Sequence, residues 1–306
     1  MLNSIQIAKY IGFTEEEVKE LCDKYDVDFN EMKKWYDGYE LNAKDKIYHI
    51  YNPKSVVSSI LDGGYFESYW VNTESYETLK MYIESDFEGL KEDIIKMLAG
   101  EEVRVNTRSF QNDMVSINSK NDVFTLLIHL GYLSYNIDTR RVKIPNQEIA
   151  IEFENTITAS NWGEISKLLL DSEDLLEDTI NMKEKAVTEA IDRVHLATTN
   201  VFNYNDENSL RCVVQLAYFT AIKDYTILHE LNTGKGRADL FFLPRKKSSK
   251  PALLIELKFD NSAYDAIEQI RTRQYGIEFK EYTDNMLIVG INYDKDKGHS
   301  CRIEKY

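Results

Sequence analysis

Gly236-Arg237-Ala238-Asp239-Leu240 and Leu253-Leu254-Ile255-Glu256-Leu257-Lys258 are the stretches on which the reading of this chain turns. Apolar runs of this length, rich in β-branched and aromatic neighbours and bounded by turn residues, predict strands. The same pattern predicts strands over Tyr225–Glu230, Ala238–Leu243 and Ala252–Leu257, punctuated by Gly234, Gly236 and Pro251. A helix is expected before them, Asn208–Ala221, and a longer one after them, from Tyr264 to about Phe279. Met286-Leu287-Ile288-Val289-Gly290-Ile291 then reads as a buried strand. Helix, three strands, helix, strand is the order of a mixed sheet flanked by helices.

Side chains alternate faces along a strand, so Glu256 and Lys258 point the same way with Leu257 opposite. If the two strands pair as a hairpin, Asp239 meets them at one sheet edge. Two carboxylates and an ammonium then converge, which suits phosphodiester hydrolysis. Acidic oxygens hold a hard cation such as Mg²⁺, and the cation polarises a phosphate and activates a water. A neighbouring lysine offsets charge that develops on the phosphorane. The tripeptide Glu-x-Lys alone is more often a surface salt bridge; the upstream strand acid is what raises its weight. The following helix adds Gln269 and Tyr275, for which helix packing is the competing reading.

Outward from this core, Thr14 with Glu17 forms a capping-box pattern ahead of a helix carrying Val18 and Leu21. Asp37-Gly38 and Asn52-Pro53 are turn signals, and helices are expected over Ser55–Leu61, Tyr76–Ile83, Gly89–Ala99 and Asp122–Leu130. Gly131 stops the last of these, and strands over 132–137 and 141–144 follow. That outline is a winged helix, expected here to serve packing or interaction. Glu152 to about His195 reads as amphipathic helix, with Leu168-Leu169-Leu170 and Leu175-Leu176 as core.

The 306 residues carry a net charge of −15, awkward for a protein that must meet phosphates. The acidity is uneven. Residues 1–199 hold 21 Lys/Arg against 37 Asp/Glu, whereas residues 200–306 hold 16 against 15. The basic run from Arg245 to Lys250 reads as a solvated turn. No apolar run approaches the roughly 18 residues that cross a bilayer, and the N-terminus lacks a secretory pattern; a cytoplasmic protein with no membrane partner is expected. Cys22, Cys212 and Cys301 are widely spaced, without disulfide or zinc spacing. The five histidines show no ligand spacing, and His229, near Asp239 in the expected sheet, is assigned to packing or the surface rather than to catalysis. Tyr132, Tyr135 and Tyr218 read as core.

The motifs GRADL, LLIELK and AIEQIRTRQY resemble the PD-(D/E)XK nuclease domain that ends many bacterial and archaeal AAA-ATPase-like proteins. WYDGYEL, YNPKSV and GYLSY resemble the segment that follows the ATPase core in those proteins. The resemblance implies an α+β chain with three regions. Residues 1–155 are a helical, winged-helix-like region, residues 156–199 connecting helices, and residues 200–306 a restriction-endonuclease-like domain with a mixed central sheet. It implies Asp239 and Glu256 as ligands of Mg²⁺ or Mn²⁺, Lys258 as the catalytic lysine, and Glu207 completing the metal shell. Gln269 and Tyr275 match the family's helix motif beside the site. No GxxxxGK[ST] loop occurs, so the chain is expected to begin after the ATPase core, and ATP is not an expected cofactor. The implied activity is metal-dependent hydrolysis of nucleic acid, DNA before RNA. A homodimer, an ATPase or another protein is left open as a partner. The rival reading is a catalytically silent nuclease fold used for protein interaction or regulation; the acidic first half and the missing ATPase favour it, the intact acids and lysine oppose it.

Overall fold

Contacts divide the chain into Met1–Asn161 and Trp162–Tyr306. The computed structural model describes residues 11–43, 46–69, 75–85, 87–108, 110, 117–160, 162–202, 204, 206–233, 236–245, 248–273 and 282–306.

The first unit begins with β1 (Phe13–Thr14), α1 (Glu15–Tyr25), α2 (Phe29–Tyr36), β2 (Tyr39–Ala43), β3 (Lys46–Tyr51) and α3 (Pro53–Leu61). The expected capping box is present: the Glu17 N–H donates to Thr14 Oγ1 at 3.3 Å, and the Thr14 N–H donates to Glu17 Oε2 at 2.8 Å. Val18, Cys22, Met32, Trp35, Tyr36, Tyr51 and Val56 form the core beneath. The Asp-Gly turn joins α2 to a strand, which the turn signal alone did not reveal. Gly38 makes that turn with φ +114°, and a Cβ there would lie 2.0 Å from the Pro145 carbonyl oxygen. The three strands form a sheet in the order β1-β3-β2.

Next come α4 (Ser75–Ile83), α5 (Leu90–Leu98), β4 (Val103–Arg104), α6 (Lys120–Leu130), β5 (Ser134–Asn136), β6 (Arg141–Lys143) and α7 (Gln147–Thr158). Gly131, at φ +85°, caps α6. The strands pair in the order β4-β6-β5, with β4 ahead of α6 and the β5–β6 hairpin after it. Residues Asp122 to Leu127 of α6 are buried, so this helix is packed into its own unit. Tyr132 is buried and Tyr135 only half-buried.

The second unit opens with α8 (Glu164–Ile180) and α9 (Glu184–Thr198). The amphipathic run expected from Glu152 to His195 is therefore three helices: α7, α8 and α9. Gly163 (φ +58°) and Met182 (φ +57°) mark the breaks. Leu168, Leu169, Leu175 and Leu176 are buried, but Leu170 is 64% exposed, a correction to the expected core. Then follow α10 (Glu207–Ala217), a 3₁₀ turn (Phe219–Lys223), β7 (Tyr225–Thr233), β8 (Gly236–Pro244), β9 (Ala252–Phe259), α11 (Ala263–Arg273), β10 (Met286–Asp294) and β11 (Gly298–Lys305). Helix α10 stops at Ala217, four residues before the expected Ala221. The part of α11 expected beyond Arg273 lies outside the described residues.

The sheet runs β11-β10-β9-β8-β7. Strands β9 and β10 are parallel, joined through α11, and the other neighbours are antiparallel, so the sheet is mixed as expected. Ile267 and Ile270 of α11 pack with Phe241, Leu254 and Ile288 on one face. Helix α10 packs on β9, and α9 on β11. Gly290 lets α11 approach β10: a Cβ there would lie 2.3 Å from the Ala263 carbonyl oxygen.

Candidate active site

Strand register brings the acids together. β8 and β9 pair antiparallel through Phe242↔Leu253, Phe241↔Leu254 and Leu240↔Ile255. One step further along each strand lie Asp239 and Glu256. There the Asp239 carboxylate takes over as acceptor: the Leu257 N–H donates to Asp239 Oδ2 at 2.7 Å. On its other side β9 stays in register with β10, Glu256 beside Gly290 and Lys258 beside Asn292. The run Leu253-Leu254-Ile255 is wholly buried, which pulls Glu256 into the interior behind it.

Glu256 is 2% exposed. Its Oε1 accepts from Lys258 Nζ at 3.3 Å, and the same ammonium donates to the Leu257 carbonyl at 3.1 Å. Glu256 Oε2 is buried and, among the described residues, has no hydrogen-bond partner. A buried, unpartnered carboxylate oxygen is costly and calls for a proton or a cation. The titration of the pair says the same. Burial pushes Glu256 up to about 8, Asp239 adds to the rise, and Lys258 and Arg273 oppose it. Burial pushes Asp239 up to about 6; its Leu257 N–H bond opposes this, Glu207 adds to it, and Lys258 and Arg211 oppose it. Glu256 thus feels the charge of Asp239, and Asp239 that of Glu207, as carboxylates gathered near one site do.

Glu207 is the first residue of α10, exposed, behind an Asp206 N-cap whose Oδ1 accepts the Ser209 N–H at 2.8 Å. Its charge reaches Asp239. Gln269 is half-buried on α11, one turn before Arg273. Tyr275 lies outside the described residues. Arg211 and Arg273 act on the acids and were not singled out from sequence. Arg211 carried a legible signal, since four residues separate it from Glu207 on one helix face. His229 faces Leu240 across the β7–β8 ladder and is exposed, its Nδ1 2.8 Å from Gln215 Nε2 of α10, which fits surface placement.

Among the described residues, a tighter group of metal-capable atoms lies elsewhere. Glu15, Asp37 and His49 of the first unit offer ligand atoms within 4.8 Å of one another. A lysine already answers this group: Lys33 Nζ is 3.0 Å from both Glu15 oxygens and 3.9 Å from Asp37 Oδ2. Described helices include none long and apolar enough to cross a membrane. Residues 205–303, about a third of the chain, match the family model of the PD-(D/E)XK nuclease superfamily, spanning α10 to β11. No curated protein and no solved structure gives a significant match.

Proposed function

We propose that this chain, whose residues 205–303 form a domain of the PD-(D/E)XK nuclease superfamily, is a metal-dependent nuclease that hydrolyses the phosphodiester bonds of DNA. The observation that carries the reading is the buried, unpartnered Glu256 Oε2 beside Asp239, with Lys258 on the other oxygen of the same carboxylate. That donor set fits a hard divalent cation: oxygen ligands, two neighbouring carboxylates, and a third acid, Glu207, at the helix start. Asp239 and Glu256 would hold the ion and Glu207 would complete its shell. Bound there, Mg²⁺ or Mn²⁺ supplies Lewis-acid polarisation of a phosphate oxygen and lowers the pKa of a water.

The chain's own residues do the rest. Lys258 is anchored by the Leu257 carbonyl, so its ammonium is held near the acids rather than swinging in solvent. A fixed ammonium stabilises negative charge developing on the phosphate without reorganising. Arg211 and Arg273 lower the cost of bringing a polyanion to a site that already carries acids. The near-neutral charge of residues 200–306 supports the same reading, since the chain's acidity lies outside this domain.

The test is Mn²⁺ calorimetry together with cleavage of single- and double-stranded DNA. Glu256→Gln keeps the side-chain volume and removes the charge. Asp239→Asn keeps an oxygen to accept the Leu257 N–H. Each should lose metal binding, and each, like Lys258→Met, should lose cleavage by at least about 100-fold. A wild-type protein that binds Mn²⁺ no better than Glu256→Gln, and cuts neither substrate, would instead favour a silent fold.

A further inference from the structure

Outside the acids, the second unit holds a part-buried hydrogen-bonded chain centred on a buried histidine. His299 of β11 has its side chain fully buried. Its Nδ1 lies 2.6 Å from Asp192 Oδ1 on α9, and its Nε2 lies 2.7 Å from the Tyr204 hydroxyl. A carboxylate only accepts, so Nδ1 carries the proton and donates to Asp192. In the neutral ring Nε2 then accepts, and Tyr204 donates. Burial favours that neutral ring. Every polar atom of the imidazole is used and the tautomer is fixed.

The chain ends in a box of rings. Tyr204 stacks on His195 with centroids 3.7 Å apart, meets Tyr293 edge-on at 4.6 Å and reaches Phe259 at 6.4 Å. Phe259 and Tyr293 are themselves register partners and touch at 5.5 Å. The neighbours of these residues give the box its meaning. Phe259 immediately follows Lys258, and Tyr293 follows Asn292, the register partner of Lys258. Tyr204 precedes Glu207 by three residues, a span of at most about 10 Å of extended chain. One cluster therefore gathers the residue that follows Lys258 and a residue three before Glu207.

We propose that Asp192, His299 and Tyr204 form a positioning relay that fixes the entry to α10 so that Glu207 faces the Asp239–Glu256 acids. The inference rests on the nuclease reading. None of the three touches the reacting atoms; they act by setting where Glu207 stands, as outer-shell partners orient metal ligands.

The experiment compares Tyr204→Phe and Asp192→Ala with Tyr218→Phe, using the whole chain and Mn²⁺ as the probe. Tyr218 follows the other end of α10 and shares a fully buried bond with Thr179, 2.6 Å between the oxygens. It therefore reports the loss of a buried hydroxyl bond without disturbing the Glu207 end. Tyr204→Phe and Asp192→Ala should weaken Mn²⁺ binding about tenfold or more, lowering kcat while KM for DNA stays within twofold. Tyr218→Phe should lower the melting temperature yet leave Mn²⁺ affinity unchanged. If Tyr204→Phe binds Mn²⁺ as tightly as wild type, the relay is structural only and the proposal falls while the nuclease reading stands. If wild type takes up no Mn²⁺, both fall together.

Discussion

Two clusters of acids in this molecule have similar ingredients and differ in how far their lysine pairs are exposed. Glu15, Asp37 and His49 converge within 4.8 Å in the first unit, with Lys33 closing on both Glu15 oxygens. Asp239 and Glu256 meet at the end of a buried strand, with Lys258 on one oxygen and the other left open. Convergence of ligand atoms alone would choose the first cluster. Exposure separates the two lysine pairs, although Asp37 of the first cluster is itself buried, its Oδ1 unpartnered among the described residues. Lys33 and Glu15 keep 41% and 34% of their side-chain surface exposed, whereas Glu256 keeps 2% and Lys258 16%. Exposed charges are answered by water and salt; a buried carboxylate must be answered by the protein or by a ligand. The second cluster also lies within the family match, and the first does not.

The largest contrast should appear in metal uptake. Glu256→Gln should abolish Mn²⁺ binding, while the double variant Asp37→Asn/His49→Gln should bind it within about twofold of wild type. Calorimetry on the three proteins is enough. Loss of binding in the double variant and its retention in Glu256→Gln would transfer the metal site to the first unit and undo the mechanism argued above.

A smaller contrast should appear in the pH dependence of stability without metal. Unfolded Asp and Glu titrate near about 4, but the folded site holds Asp239 at about 6 and Glu256 at about 8. The folded state therefore binds more protons than the unfolded chain across this interval. Stability contributed by the pair is fully present below about pH 4 and is lost as pH rises through 6 and then 8. A divalent ion binds the ionised form and should restore it by mass action. Melting temperatures from pH 5 to 9 should fall without metal, fall less with Mg²⁺, and fall less steeply for Glu256→Gln. Asp37 is raised in the same direction by burial, so Asp37→Asn should also flatten the profile, but without any dependence on Mg²⁺. A wild-type profile that is flat, or that rises with pH, would mean the acids are solvated.

Much of this was legible because the local signals were redundant. The Thr14–Glu17 box and the Gly131 stop each combine a cap with a periodic apolar face, and both appear in the structure. The placement of Asp239, Glu256 and Lys258 followed from strand alternation, which leaves little freedom once a pair is in register. Three kinds of feature did not show through. Three consecutive leucines cannot share one helix face at 100° per residue, so Leu170 turns outward. Strand β11 has no apolar run, since of its residues only His299 and Ile303 are buried; its pairing with β10 rests on the backbone. The break between α8 and α9 is made by Met182 in a left-handed conformation, for which methionine gives no warning. At the site, Arg273 was hidden for a related reason: a single arginine carries no motif, and its influence on Glu256 depends on how α11 crosses the sheet.

The smallest effect concerns the lysines themselves. Lys33→Met removes a close pair with Glu15 whose partners are both substantially exposed, and a longer 3.9 Å contact to the buried Asp37; exposed pairs contribute about 0–1 kcal/mol. Its cost should therefore stay below about 1 kcal/mol in urea unfolding, and most of it should vanish in 1 M salt, where the screening length is about 3 Å. Lys258→Met should also cost little in stability, for a different reason. Without the ammonium, Glu256 keeps its proton at neutral pH, because burial and Asp239 already favour the neutral form. Its stability should then be insensitive to salt while its cleavage is lost. A loss above about 2 kcal/mol for Lys33→Met, persisting in high salt, would show that the first cluster is as desolvated as the second. The distinction between a solvated ion pair and a buried acid waiting for a cation would then no longer separate them.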